Sequence, residues 1–321
     1  MPDVISFEEA TQATEGDNRQ LLIGNGFSIQ HFSYKTLLEK AGLDPDGPLR
    51  ALFTTLGTVD FEVVIRALED AVRVEKTYKK LKRADLLQKD ADKLRRALVH
   101  AIRWVHPANR TYIEDVIAAC ADFLKQFNAI FTLNYDLLLY WVILEDTNFF
   151  ADGFGLGQQQ NGFLGPFQIG ARCNIYNLHG GLHLFRTTRD EVEKRLMGPT
   201  GVIDAIAETI THDKRLPVYV AEGTSIGKLA HIYSLPYLRH CYEMLCASSG
   251  PFFVYGHSAS QNDEHIYDAL FRSAISHLYF CIHQPTADIQ AVAGELARYK
   301  ERNGSDIEFT LVDSETAPVW G

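Results

Sequence analysis

Leu21-Leu-Ile-Gly-Asn-Gly-Phe-Ser28 is an apolar run that ends abruptly in a Gly-x-Gly-x-Ser turn. The run reads as a buried β-strand, and the turn has a backbone that can approach a phosphate closely. A strand feeding such a turn and then a helix presents N–H groups and a helix N-terminus to an anion. The third glycine of the full dinucleotide fingerprint is missing, since Asn25 and Phe27 fill the variable positions. The next clear helix, Tyr34 to Lys40, begins late. By itself the turn therefore fits either a nucleotide site or a tight corner in an α/β core.

Outward from this unit the chain divides by periodicity. From Pro48 to about Phe127 the pattern is helical almost throughout. Phe61, Val64, Ile65, Leu68 and Val72 recur at helical spacing, as do Leu94, Leu98, Ile102 and Val105. His106-Pro107 breaks the run before a further helix, Thr111 to Gln126. A helical insertion placed here would form a layer over the first βα unit. From Asn128 onward short strands alternate with helices. The strands are Ala129 to Leu133, Ile175 to Leu178, Pro217 to Val220, Phe252 to Tyr255, Leu278 to Ile282 and Ile307 to Val312. Helices are expected from Leu137 to Leu144, from about Asp263 to Ala274, and from Ala287 to Lys300. This alternation predicts an α/β fold: a Rossmann-like, mostly parallel sheet with helices on both faces and a large helical insertion. Asp152 to Gly170, rich in Gly, Gln and Phe, reads as a long loop and a potential cover.

Composition narrows the class. The 321 residues carry a net charge of −10, which argues against nucleic acid as the main partner. In the basic stretch Lys76 to Arg96 the cations are interleaved with Asp85, Asp90 and Asp92, as on a solvated helix face. No window has the apolar length to cross a bilayer, and Met1 to Glu9 lacks the basic start of a secretory signal, so a cytoplasmic protein is expected. The five cysteines contain no Cys-x-x-Cys pair, so a four-cysteine zinc site is not expected and most of the thiols read as small buried hydrophobes.

Polar clusters fall at the carboxyl ends of the strands, where ligands bind in such sheets. Thr132-Leu-Asn134-Tyr-Asp136 follows one strand, and either Asn134 or Asp136 could simply cap the next helix. Asn177-Leu-His179-Gly-Gly181 follows another. A histidine beside two glycines sits where the chain turns and a substrate can approach, and its titration range suits a general base. His183 lies on the strand beyond and reads as structural, and the remaining histidines have no comparable context. Gly256-His257-Ser258-x-Ser260-x-Asn262-Asp263 offers hydroxyl groups and a carboxylate for ribose or phosphate, or an N-cap. Glu222-Gly-Thr-Ser225 reads as a binding loop or a plain cap.

The order of these motifs resembles the bacterial SIR2-like (sirtuin-related) proteins, closest to a zinc-free branch linked to anti-phage defence. The resemblance covers roughly Arg19 to Asp313. It implies one SIR2-like domain over residues 1–321, with residues 48–127 as a helical insertion. It implies NAD⁺ as substrate, with no metal. Gly24, Asn25, Gly26, Phe27 and Ser28 would lie near the pyrophosphate, and Thr132 would also belong to the cofactor-binding set. Asn134 would position the nicotinamide ribose and a water, His179 would act as general base on the ribose hydroxyls, and Asp136 would support that pocket. Gly256, His257, Ser258, Asn262 and Asp263 would line the adenosine end. Lacking a four-cysteine zinc module, the chain is expected to hydrolyse NAD⁺ to nicotinamide and ADP-ribose rather than deacylate lysine. A non-catalytic NAD or ADP-ribose module and a zinc-free deacylase are the alternatives. The resemblance also implies control by homo-oligomerisation or by a partner ATPase of a defence system.

Overall fold

The computed structural model describes residues 4–31, 37–198, 201–220, 224–283 and 285–321, without the side chains of 285–288. Among the described residues the strands are β1 (Val4–Ser6), β2 (Gln20–Ile23), β3 (Ala129–Thr132), β4 (Gln158–Gln160), β5 (Phe163–Gly165) and β6 (Ile175–Asn177). They continue with β7 (Gly180–Arg186), β8 (Val192–Arg195), β9 (Pro217–Tyr219), β10 (Ser249–Tyr255), β11 (Ala274–Ile282) and β12 (Phe309–Asp313).

Seven of these form a parallel sheet in the order β1-β12-β11-β10-β2-β3-β6. Without the edge strand β1, numbering the strands by appearance gives 3-2-1-4-5-6 from the β6 edge, the order of the dinucleotide-binding α/β sheet. The sheet is buried on both faces, and side-chain alternation explains how. Leu21 and Ile23 join one core with Phe253 and Val312, while Leu22 joins the other with Phe252, Val254 and Leu311. The first core is filled by helices that lie between β2 and β3, chiefly Pro48–Thr55, Phe61–Thr77, Leu81–Val105 and Glu114–Leu124. The second takes Pro236–Cys246 and Glu264–Arg272.

Register brings the functional ends together. Tyr255 aligns with Ile23, Ile23 with Thr132, and Thr132 with Asn177. The chain thus leaves four neighbouring strands at one edge, through Gly24, Leu133, Leu178 and Gly256. The break in topology falls between β2 and β10, where successive connections run to opposite sides and open a crevice.

Several expectations need correction. Pro217 to Val220 does not join the parallel sheet. β9 instead pairs antiparallel with β7 in a second sheet of order β4-β5-β8-β7-β9. The expected loop Asp152 to Gly170 contains the β4–β5 hairpin of that sheet. β1 was not expected, being three residues of an otherwise helical, acidic segment. The helix expected over Thr111 to Gln126 splits into a 3₁₀ turn, Arg110–Ile113, and the helix Glu114–Leu124. Of the helix expected from Tyr34, Leu37–Lys40 is formed, and Tyr34 to Thr36 lie outside the described residues. All five cysteines are free, and Cys120, Cys241 and Cys281 are buried. No helix of the described residues is long and apolar enough to cross a membrane.

Candidate active site

The Gly-x-Gly turn is built by contact with the next strand. Gly24 N–H donates to Tyr255 O at 2.9 Å, Gly26 N–H to Gly256 O at 2.7 Å, and Phe27 N–H to Gly24 O at 3.0 Å. A Cβ on Gly26 would sit 2.5 Å from Gly256 Cα, so the two backbones cross at a distance only glycines allow. These three N–H groups are therefore held by carbonyls of the protein. The turn meets the crevice through Asn25, which lines a cavity of about 400 Å³ at the switch point.

Beneath the crevice the TLNYD segment fixes that turn. Asn134 Nδ2 donates to Gly24 O at 3.0 Å and to Ser28 Oγ at 3.1 Å, and its backbone N–H donates to Thr132 Oγ1 at 3.0 Å. Asn134 Oδ1 is buried without a hydrogen-bond partner. Phe27 is buried against Trp320, with ring centroids 5.1 Å apart. Asp136 takes the capping role, accepting the Leu138 N–H at 2.8 Å. Thr132, Asn134, Asp136, Phe27 and Ser28 thus support the site from below. None of them lines the cavity.

The cavity wall is formed by His179, Gly256, His257, Ser258, Asn262 and Asp263. His179 occupies the step between β6 of the parallel sheet and β7 of the second sheet, and it is only 4% exposed. Its Nε2 lies 3.8 Å from Asp263 Oδ1. Asp263 also accepts from Lys228 Nζ at 2.8 Å, and its Oδ2 is 3.3 Å from His257 Nε2. Ala259 N–H donates to His257 Nδ1 at 3.1 Å, which puts the His257 proton on Nε2, facing the carboxylate. Burial pushes the His179 imidazole down to about 3, and the Asp263 charge opposes this only in part. Burial alone would raise the Asp263 carboxyl. The His257 hydrogen bond and the nearby cationic groups, Lys228 among them, instead hold it below the usual carboxylate range. A neutral imidazole therefore stands beside an ionised carboxylate, whose charge offsets part of the burial that disfavours protonation of the ring.

Lys228, His265 and Tyr135 are residues that the sequence reading did not select. Lys228 comes from the helix Ser225–Ser234 and is buried. His265 follows Asp263 by two positions, and its ring stacks on His179 with centroids 5.7 Å apart. Only the nearness of His265 to the GHSxSxND segment could have flagged it. Of the expected loop Glu222 to Ser225, Glu222 and Gly223 lie outside the described residues, and Thr224 caps the helix through Gly227 N–H. A larger cavity, about 820 Å³, shares Val220, Lys228 and Asn262 with the first. Phe53, Thr54 and Asp60 of the helical segment line its far wall, whereas no residue of that segment lines the smaller cavity.

Comparison with known families now places the chain. Residues 21–320 match the family described as Domain of unknown function (DUF4917). The chain belongs to that family. No curated protein matches it. Among solved structures, a Sir2 mutant with a p53 peptide and NAD is 16% identical, with 94% of this chain and 99% of that chain covered and a TM-score of 0.35. A mutant Sir2 homologue with ADP-ribose is 13% identical, over 92% and 98% of the two chains, at a TM-score of 0.36. A Sir2 homologue with NAD is also 13% identical, over 94% and 97%, at 0.38. The fold assignment for this DUF4917 chain rests on its own strand order.

Proposed function

We propose that this DUF4917 protein is an NAD⁺ glycohydrolase, a cytoplasmic effector of anti-phage defence that cleaves NAD⁺ to nicotinamide and ADP-ribose. The observation that carries the reading is His179. It is a neutral, buried imidazole 3.8 Å from an ionised carboxylate, at the switch-point cavity of a dinucleotide-type sheet. In this reading the dinucleotide lies along the strand ends, with the larger adjoining cavity giving it further room. Nicotinamide departs from C1′ of the ribose with the electron pair of the glycosidic bond, becoming neutral. Water adds to the oxocarbenium carbon and gives up one proton, and no metal is required. His179 takes a proton from a ribose hydroxyl as positive charge builds on the sugar, and Asp263 stabilises the imidazolium. Asn134 donates both amide hydrogens to Gly24 O and Ser28 Oγ, and in this reading it is a positioning residue that fixes the turn bearing Asn25.

Unchecked turnover would drain the cell of NAD⁺, so the proposal includes a restraint, either a homo-oligomer or a partner ATPase. The test is nicotinamide release from NAD⁺, with and without the protein encoded beside it. Replacing His179 by Ala is expected to lower turnover at least about 100-fold, the usual scale for a general base, with the melting temperature retained. NAD⁺ binding with no nicotinamide release under any condition would overturn the hydrolase reading. Release only with an acyl-lysine peptide would point to deacylation instead.

A further inference from the structure

In the crevice two histidines converge on one carboxylate with their outer nitrogens unused. Nε2 of His179 and Nε2 of His265 are both buried without a hydrogen-bond partner. One ring nitrogen of each, with a carboxylate oxygen of Asp263, lie within 4.8 Å of one another. A buried ring nitrogen left unpaired is destabilising, and here two occur at one spot. Two neutral imidazoles and an ionised carboxylate are the donor set that holds zinc-like ions while leaving a position open. His265 is also braced as a ligand histidine is. Ser225 Oγ lies 2.9 Å from its Nδ1 and accepts its backbone N–H at 2.9 Å, so Nε2 is the ring nitrogen that stays available.

We propose that His179, His265 and Asp263 bind one divalent transition-metal ion of the zinc class, and that the bound ion inhibits the protein by occupying His179. The binding half rests on geometry alone, whereas the inhibitory half rests on the function proposed above. Metal–ligand bonds of about 2.0–2.2 Å put tetrahedral donors roughly 3.4 Å apart, so the three side chains must draw together on binding. Lys228 opposes this, because its ammonium sits 2.8 Å from Asp263 Oδ1 and competes with the ion for the carboxylate. Lys228 lines both cavities, so the larger one can receive its displaced side chain. The site is thus one that takes metal only when Lys228 yields.

Cobalt(II) titrated into the metal-free full chain tests the binding half through its visible absorption. One equivalent with the intensity of a four-coordinate site is expected. His265→Gln should abolish that signal, Ser225→Ala should weaken binding about tenfold, and Lys228→Met should tighten it. His265→Asn replaces His265→Gln if the latter fails to melt cooperatively. Absence of a stoichiometric signal, or a signal unchanged by loss of His265, would overturn the site. Zinc should lower nicotinamide release in the wild type, reversibly with a chelator, but not in His265→Gln relative to that variant's own metal-free rate. Cobalt binding with zinc-insensitive turnover would overturn the inhibition. Cobalt binding in a protein that never turns over NAD⁺ would support the site and sink the hydrolase reading.

Discussion

Asp60 combines two demands that conflict above acidic pH. It caps the helix Phe61–Thr77, accepting the Glu62 N–H at 2.7 Å, and it is only 5% exposed at the wall of the larger cavity. Burial raises its carboxyl from 3.8 to about 6, against the lowering effect of the cap hydrogen bond. Below 3.8 the group is protonated in both states and folding is unaffected. Between 3.8 and 6 the folded state binds more proton than the unfolded, so stability falls as pH rises, and above 6 the cost is complete. On this shift the cost is about 3 kcal/mol at most. Asn keeps the cap without the charge. Asp60→Asn is therefore expected to raise the melting temperature more at pH 8 than at pH 5, and equal gains at the two values would refute the argument.

At the scale of elements, the crossing of the β2 and β10 exits decides the shape of the crevice. A methyl group at Gly26 would meet Gly256 Cα at 2.5 Å. At Gly256, where φ is +70°, it would meet Phe27 N at 2.5 Å. Backbone cannot move aside as a side chain can, so Gly26→Ala and Gly256→Ala should each destabilise by about 1–3 kcal/mol or more. Gly155→Ala, with nothing within 4 Å, is the control expected to leave the midpoint of denaturant unfolding in place. Apolar runs made β2, β3, β6, β10, β11 and β12 legible in the sequence, because strands buried on both faces need them. The second sheet was hidden for the opposite reason. β4 is Gln158–Gln160 and wholly exposed, and β9 is a short apolar run that reads the same whether its partners are parallel or antiparallel. The motifs at strand ends were legible as a group, and His179, His257 and Asp263 do meet. Lys228 and His265 stand on helices, each as a single polar residue without a local pattern, and only tertiary packing brings them to Asp263.

Across the whole molecule, the crevice is held from a distance by residues near the last position. Trp320 Nε1 donates to Phe27 O at 2.7 Å, and its ring lies 5.1 Å from Phe27 and 4.7 Å from His31. These partners stand 293 residues apart in the sequence, so the bond is a purely tertiary contact. It also satisfies a carbonyl in the four-residue helix Asn25–Ser28, which is too short to hold its own shape. The Gly24–Ser28 turn is therefore clamped on three sides: by Gly256, by the Asn134 amide and by Trp320. Removing the indole should loosen the turn without touching His179. Trp320→Phe keeps most of the packing and loses one buried hydrogen bond, an expected cost of about 1–3 kcal/mol. Trp320→Ala adds a cavity and should cost about 3–5 kcal/mol. If the turn positions the dinucleotide, Trp320→Phe should raise KM for NAD⁺ while kcat stays near the wild-type value, because the chemical step is assigned to His179 and Asp263, neither of which belongs to the turn. A fall in kcat at unchanged KM would place the turn's influence on the chemical step and refute a purely positioning role.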